Sequence, residues 1–390
     1  MDFKFTEEQQ KFRKEIRSYL EDEIKQGLWQ PTCDAWIMAY DPAFTKRIAA
    51  KGWIGLTWPK EYGGQGRSFI DRLILTEEML RYGAPAACHW FADRQIGGGI
   101  VHYGTDEQKK EILPTIIRGE AYVGLGMSEP EAASDLASLK TRAVEDGDYY
   151  VVDGQKVWTS GGSHMNWIYL VARTDPEAAK HRGISEFVFP TNIPGIDVRP
   201  IADMTGGVHF NEVFFDNVRV PKKYLIPEKN KGFYQVVNQL DYERSGMERL
   251  MANYPLFEEL IKYTKETKRK GKPLCEDPII RSRLAQLRVE YEIGRLHMYR
   301  VATVMDEGRA PNWESSMSKA YGTAFEQRLA ATAIEVAGLY GQLSPESKLV
   351  PMMGMAYHSY LSSKGYSLQA GASEVLKNIM ATRKLELPSA

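Results

Sequence analysis

The apolar residues of this chain change their period twice, and few folds permit that. As far as about residue 121 they recur at helical spacing. From about Tyr122 they give way to short runs rich in β-branched and aromatic residues, such as Tyr149 to Val152, Trp167 to Val171, Glu186 to Phe189 and Asn211 to Phe215. Turn formers separate these runs: Asp146-Gly147, Asp153-Gly154, Asn192 to Gly195 and Thr205 to Gly207. After Gly232 the helical period returns. The order helices, strands, helices lacks the βαβ alternation of a doubly wound sheet, so an α+β fold is expected and a Rossmann fold is not. A nucleotide cofactor would have to be held some other way. A length of 390 residues suits two or three domains. The period changes set them at 1–121 (helical), 122–231 (β) and 232–390 (helical).

Local signals sharpen the helical parts. Thr6 with Gln9 and Thr105 with Gln108 are capping boxes, the first ahead of a stripe of Phe12, Ile16, Tyr19 and Leu20, the second ahead of Ile112, Ile116 and Ile117. Gly119 stops the second helix. Asp277-Pro278 opens a long helix carrying Leu284, Leu287, Tyr291 and Met298, and Asn312 is expected to cap the next, which runs through Ala337. The glycine runs Gly63-Gly64-Gln65-Gly66 and Gly97-Gly98-Gly99 lack the full dinucleotide fingerprint and read as turns or close helix contacts.

Composition removes several functions. With 43% hydrophobic and 26% charged residues and a net charge of −1, nothing draws the chain to nucleic acid or to an anionic membrane. Cys33, Cys88 and Cys275 fit no metal or redox spacing, so no metal is expected, and they suit a reducing compartment. There is no signal or transit pattern at the N-terminus and no apolar run of membrane-spanning length, so the expectation is a cytoplasmic protein.

One stretch stands out for chemistry: Leu240-Asp241-Tyr242-Glu243-Arg244-Ser245-Gly246. The segment 232–253 reads as one helix, with Val236, Val237, Leu240, Met247 and Leu250 at helical spacing. Glu243 would then share a face with Met247, and Leu240 with Arg244. A carboxylate on an apolar face is harder to ionise and moves toward the range of a general base. Pairing with Arg244 would instead leave Glu243 an ordinary bridged acid. Pattern alone leaves both readings open.

The order of motifs carries more. Trp58 to Gly64, Tyr103-Gly104-Thr105, Met127-Ser128-Glu129-Pro130, Gly154-Gln155-Lys156-Val157-Trp158-Thr159-Ser160 and Gly371-Ala372-Ser373-Glu374-Val375 together resemble the acyl-CoA dehydrogenase family over essentially the whole chain. The resemblance implies an N-terminal helical domain, a middle β-barrel domain and a C-terminal four-helix bundle. FAD would bind against an acyl-CoA thioester, and α,β-dehydrogenation would pass electrons to an electron-transfer flavoprotein. It implies that the Met127 and Ser128 backbone and the Ser128 hydroxyl bond the flavin, that Trp158 packs on its rings, and that Ser160 lies near the reactive nitrogen. Leu125, Thr159, Glu335, Gly338, Ala372 and Glu374 complete the expected FAD contacts. Ser134, Leu240, Asp241, Arg244 and Ala370 are the expected substrate contacts. The family's usual seat for the base is here Ala370, with no carboxylate. The subgroup of isovaleryl- and long-chain acyl-CoA dehydrogenases carries it instead in an Asp-x-Glu-Arg setting, matched by Asp241-Tyr242-Glu243-Arg244, and this shifts the reading to Glu243 as base.

Other departures bear on the assembly. The Arg-x-x-Phe-Gly motif that reaches the FAD pyrophosphate from a neighbouring subunit has Thr267 and Lys270 at its first and fourth places, and Pro278 stands where a Gln is expected. Lys268, Arg269 or Lys270 would have to replace the charge. The resemblance implies a tetramer, a homo-oligomer or a heterotetramer of the kind found among bacterial relatives acting on bulky, cyclic or sterol-like acyl-CoAs. Arg94 is a candidate partner for the distal carboxylate of a dicarboxylic acyl group, with a surface pair to Asp93 as the alternative. Competing functions are a flavin oxidase or monooxygenase of the same fold, and a non-catalytic partner subunit.

Overall fold

Strands between Tyr122 and Pro227 pair into one eight-stranded sheet of order β6-β7-β3-β2-β4-β5-β8, with β1 joined in parallel to β4. They are β1 (Val123–Gly126), β2 (Arg142–Asp146), β3 (Tyr149–Lys156), β4 (Trp167–Arg173), β5 (Ile184–Pro190), β6 (Ile196–Ile201), β7 (Phe210–Pro221) and β8 (Leu225–Ile226). The computed structural model describes residues 4–243 and 246–388. Asp241, Tyr242 and Glu243 are described as helical backbone alone, so their side chains lie outside the described residues, as does Arg244 entirely.

The chain divides into two units, each assembled from separate stretches: Tyr40–Arg67 with Ala86–Glu243, and Met1–Ala39 with Ser68–Pro85 and Arg244–Ala390. The first holds the sheet. One sheet face forms an apolar core with Ile168, Leu170 and Ala172 of β4 and Phe187 and Phe189 of β5. The alternate residues Tyr169, Val171, Glu186 and Val188 point the other way and are also buried. Helix Gly232–Glu243 packs against β5, which explains why these strands read as almost unbroken apolar runs. Helix Asp106–Ile117 has the expected capping box, and Gln108 also donates to the Lys223 and Leu225 carbonyls at 2.7 Å each. Gly119, at φ 68°, follows its last turn. Between helices Ala87–Phe91 and Gly97–Tyr103 lies a π-turn, Ala92–Ile96. A Cβ at Gly97 would sit 2.1 Å from the Trp58 indole, so this glycine run serves close packing, as expected.

In the second unit, helix Glu7–Lys25 buries Phe12, Ile16 and Leu20 and packs on Phe69–Arg81, which packs on Pro278–Asp306. That long helix pairs with Asn312–Ala337, against which Met355–Tyr366 and Ser373–Arg383 lie. Asp277 caps Pro278–Asp306 by accepting from Ile279 N at 2.9 Å. Two expectations are corrected. Pro311 occupies the cap position, and Asn312 is already the first helical residue. The segment 232–253 is not one helix: among the described residues it runs as Gly232–Glu243, is non-helical at Gly246 and Met247, and resumes as Glu248–Met251 and Tyr254–Glu266. Gly246 and Met247 form a bend and a turn ahead of Glu248–Met251, so Met247 does not continue the Gly232–Glu243 helix.

Two fully buried acids join the helices of this unit. Glu78 takes both Arg13 and Arg17, and Glu77 takes Arg13, Arg295 and the Tyr299 hydroxyl. No helix among the described residues is long and apolar enough to cross a membrane, and no group of His, Cys, Asp or Glu among them could hold a metal ion.

Candidate active site

In the sheet unit the chemistry-bearing motifs meet where β1 ends and β3 ends. Lys156, the last residue of β3, is fully buried; its ammonium donates to the Met127 carbonyl at 3.0 Å and to Glu129 Oε1 at 2.8 Å. Glu129 also accepts from Lys140 N at 2.6 Å and Thr141 N at 2.9 Å. Burial works to raise the Glu129 carboxyl, but Lys156 and these backbone donors outweigh it and hold the group ionised below its usual value. Burial pulls the Lys156 ammonium down to about 8, with Glu129 opposing. The pair fixes the Met127–Ser128 turn, and the Ser128 carbonyl accepts from Val157 N at 2.9 Å.

Beyond Val157 the chain turns sharply. Trp158 has φ 61°, a left-handed conformation unusual for a bulky residue, and its indole is 56% exposed, edge-on to Phe210 at 6.1 Å. Thr159 N donates to the Asn211 carbonyl at 3.0 Å and Asn211 Nδ2 returns a bond to the Thr159 carbonyl at 3.1 Å. The Thr159 hydroxyl is fully buried with no hydrogen-bond partner among the described residues. A rigidly held, exposed aromatic face next to an orphaned buried hydroxyl is what a planar polar cofactor would complement. Leu125, Met127, Ser128 and Ser160 are half-buried along the same turns, whereas Ser134 is exposed.

Arg94 lies in the π-turn. Its side chain is 13% exposed, with Nε 3.5 Å from Asp93 and the guanidinium 4.9 Å from the centre of the Trp90 ring. Asp93 also accepts from Gly55 N at 2.8 Å. The Arg94–Asp93 pair therefore forms, but buried rather than on the surface. Leu240 is half-buried on the Gly232–Glu243 helix; the side chains of Glu243 and Asp241, and Arg244, lie outside the described residues.

In the other unit Ala370, at φ 52°, and Gly371, at φ 98°, form the turn before helix Ser373–Arg383, with Ala372 at its cap and Glu374 exposed in its first turn. The buried Lys319 ammonium donates to the Tyr366 and Gly371 carbonyls at 2.8 Å each and ties this turn down. Glu335 pairs with Arg283, and Gly338 ends helix Asn312–Ala337 at φ 63°. Lys268–Arg269 and Lys272–Pro273 make a hairpin turned by Lys270 and Gly271 at φ 52° and 82°. All three basic residues from 268 to 270 are exposed.

Sequence reasoning singled out neither Lys156 nor Lys319. The signal for Lys156 was available as a lysine in an otherwise half-buried strand; Lys319, on a helix, has none. Glu186 was also passed over, inside an apolar run.

Comparison with known proteins is consistent along the chain. The acyl-CoA dehydrogenase N-terminal domain matches residues 6–120, the middle domain 124–218 and the C-terminal domain 230–385. Acyl-CoA dehydrogenase FadE26 of Mycobacterium tuberculosis is 32% identical over 402 residues, covering 100% of both chains. Among solved structures, the Tcur3481-Tcur3483 steroid ACAD has a TM-score of 0.90 at 31% identity, covering 100% of each chain. The ChsE4-ChsE5 complex from Mycobacterium tuberculosis has a TM-score of 0.88 at 32% identity, again covering 100% of each.

Proposed function

The chain belongs to the acyl-CoA dehydrogenase family of FAD-dependent oxidoreductases, and from that premise we propose that it dehydrogenates a bulky, branched or cyclic acyl-CoA thioester to the 2-enoyl-CoA. The observation that carries this is the cradle of Met127, Ser128, Trp158 and Thr159, pinned by Lys156–Glu129 and left with an orphaned Thr159 hydroxyl. Bound FAD supplies the acceptor for the hydride that leaves the β carbon. In this reading the Met127–Ser128 turn and the Ser128 hydroxyl bond the flavin, the Trp158 indole covers its rings, and the Thr159 hydroxyl finds in it the partner it lacks.

Glu243 takes the α proton, and the electron pair released forms the new double bond as the β hydride departs. The sequence Asp241-Tyr242-Glu243-Arg244, with alanine at 370, supports Glu243 as that base. The Ala370 N–H donates to the thioester carbonyl, where negative charge builds as the α proton leaves. Asp241, Arg244 and Ser134 meet the CoA moiety. Arg94, whose charge is taken up by Asp93 and Trp90, argues against a dicarboxylic acyl group.

The hairpin at 268–273 supports a second element of the reading. With Thr267, Lys270 and Pro278 in place of the family's pyrophosphate contacts, the active assembly is a tetramer completed by a second, homologous chain. Electrons leave to an electron-transfer flavoprotein. The test is the visible spectrum of the purified protein, alone and with homologous chains from its genomic neighbourhood, before and after anaerobic addition of acyl-CoAs. Bleaching of the flavin band by bulky acyl-CoAs is expected. Protein that stays colourless with FAD and every partner rejects the proposal, and rapid oxygen consumption during turnover would assign an oxidase instead.

A further inference from the structure

Behind the helix that carries position 243, the sheet unit buries polar side chains with atoms that no described residue satisfies. Glu186 of β5 is fully buried on the sheet face that meets helix Gly232–Glu243. Its Oε1 accepts twice, from the Tyr169 hydroxyl and from Gln239 Nε2 at 3.2 Å. Its Oε2 has no partner among the described residues, and neither has the Gln239 Oε1. One turn back on the same helix, Gln235 spends its Nε2 on the Pro227 carbonyl at 2.5 Å and leaves its Oε1 unpartnered as well. On the facing helix, Gly99 makes room for this group: a Cβ there would stand 2.7 Å from Gln239 Nε2. Gln95, one turn before Gly99, is a further buried side chain whose oxygen lacks a donor among the described residues.

We propose that Glu186 and Gln239, flanked by Gln95 and Gln235, form a polar floor for the acyl chain that selects acyl-CoAs bearing a hydroxyl group several carbons beyond the thioester. The inference rests on the proposed function, because it takes Glu243 as the group acting at the α carbon. Gln239 and Gln235 precede position 243 by one and two turns, about 6 and 12 Å along the helix axis. The unpartnered glutamine oxygens are therefore spaced along the helix at distances that an acyl chain of several carbons would span from the reacting carbon.

The kind of ligand follows from which atoms are left over. Burial keeps the Glu186 carboxyl protonated up to about 8, the Tyr169 bond opposing. Since Oε1 already receives two donors, the proton belongs on Oε2, which then seeks an acceptor. The glutamine oxygens seek donors. An alcohol answers both, accepting from Glu186 and donating to Gln239, whereas a methylene chain answers neither and a carboxylate would confront the amide oxygens. Arg94, held by Asp93, is not needed for this recognition.

The experiment compares kcat/KM and flavin reduction for ω-hydroxyacyl-CoAs of stepped chain length with plain acyl-CoAs of equal length, in the active assembly. At one length the hydroxyl should raise kcat/KM at least ~10-fold. Gln239→Leu should collapse that ratio toward one, a result that a merely structural role would not give, since that lowers kcat/KM for both substrates together and leaves their ratio in place. Should Gln239→Leu not fold, Gln235→Leu and the unsubstituted protein's own ratio still decide. A ratio near one at every length, with flavin reduced normally, would mean that the floor holds bound water only and overturns the inference while sparing the proposed function. Flavin that no acyl-CoA reduces overturns both.

Discussion

Glu243→Gln keeps the shape of the proposed base but cannot take a proton. Flavin reduction by acyl-CoA should slow by ~10²- to 10⁴-fold in stopped-flow measurements, with FAD still bound. Near-normal reduction removes Glu243 from the chemistry. Glu186 makes a different prediction. Its folded carboxyl keeps its proton to about 8, while the unfolded chain releases it near ~4.3. Across that window the folded state binds more protons, so this group's contribution to stability is full below the unfolded value and is lost as pH rises through the folded one. Glu186→Gln cannot ionise. Its Tm should therefore gain on that of the unsubstituted protein between pH 5 and 9, and parallel Tm curves would show that Glu186 is not held neutral. Glu243 is singled out in the sequence because a motif surrounds it. Glu186 is not, because a lone acid in the run Ile184 to Phe189 has the pattern of a buried strand, and only the packed helix reveals that its charge has nowhere to go.

The β1 and β3 ends, with Lys156 and Glu129 between them, act as one element. Removing one partner of a buried ion pair strands the other charge, so Lys156→Met should cost about 3–5 kcal/mol in urea unfolding and weaken FAD binding. Lys156→Met with Glu129→Gln should recover most of that stability, because no unpaired charge remains. If the double variant is no more stable than the single one, the pair is not what fixes the Met127–Ser128 turn. At this scale the sequence was informative where local chemistry decides: the capping boxes at Thr6 and Thr105 and the start at Asp277-Pro278 stand as expected. It misled where tertiary packing decides. The apolar spacing through 232–253 continues across Gly246, yet the helix stops before it, because side-chain periodicity does not register a break in the backbone.

Over the whole molecule, the two period changes in the sequence did announce helices, then sheet, then helices. What they could not announce is that the helical segments are shared out between two units. Helix Pro278–Asp306 leaves Ile279, Val289, Ile293 and Leu296 exposed, the last three at helical spacing on one side. If this stripe meets another subunit, Val289→Glu with Ile293→Glu should reduce the mass found by light scattering in the active assembly. An unchanged mass would place the subunit contact elsewhere. The division into units also has a meaning in time. A ribosome releases every stretch of the sheet unit by residue 243, so that unit can close while synthesis continues. The Glu7–Lys25 and Phe69–Arg81 helices can pair with each other early, but the face of Phe69–Arg81 that packs on Pro278–Asp306 must wait until that helix emerges. A face made early in synthesis is thus among the last to be covered, and a nascent chain stalled between residues 243 and 277 is the form in which chaperones would be most needed.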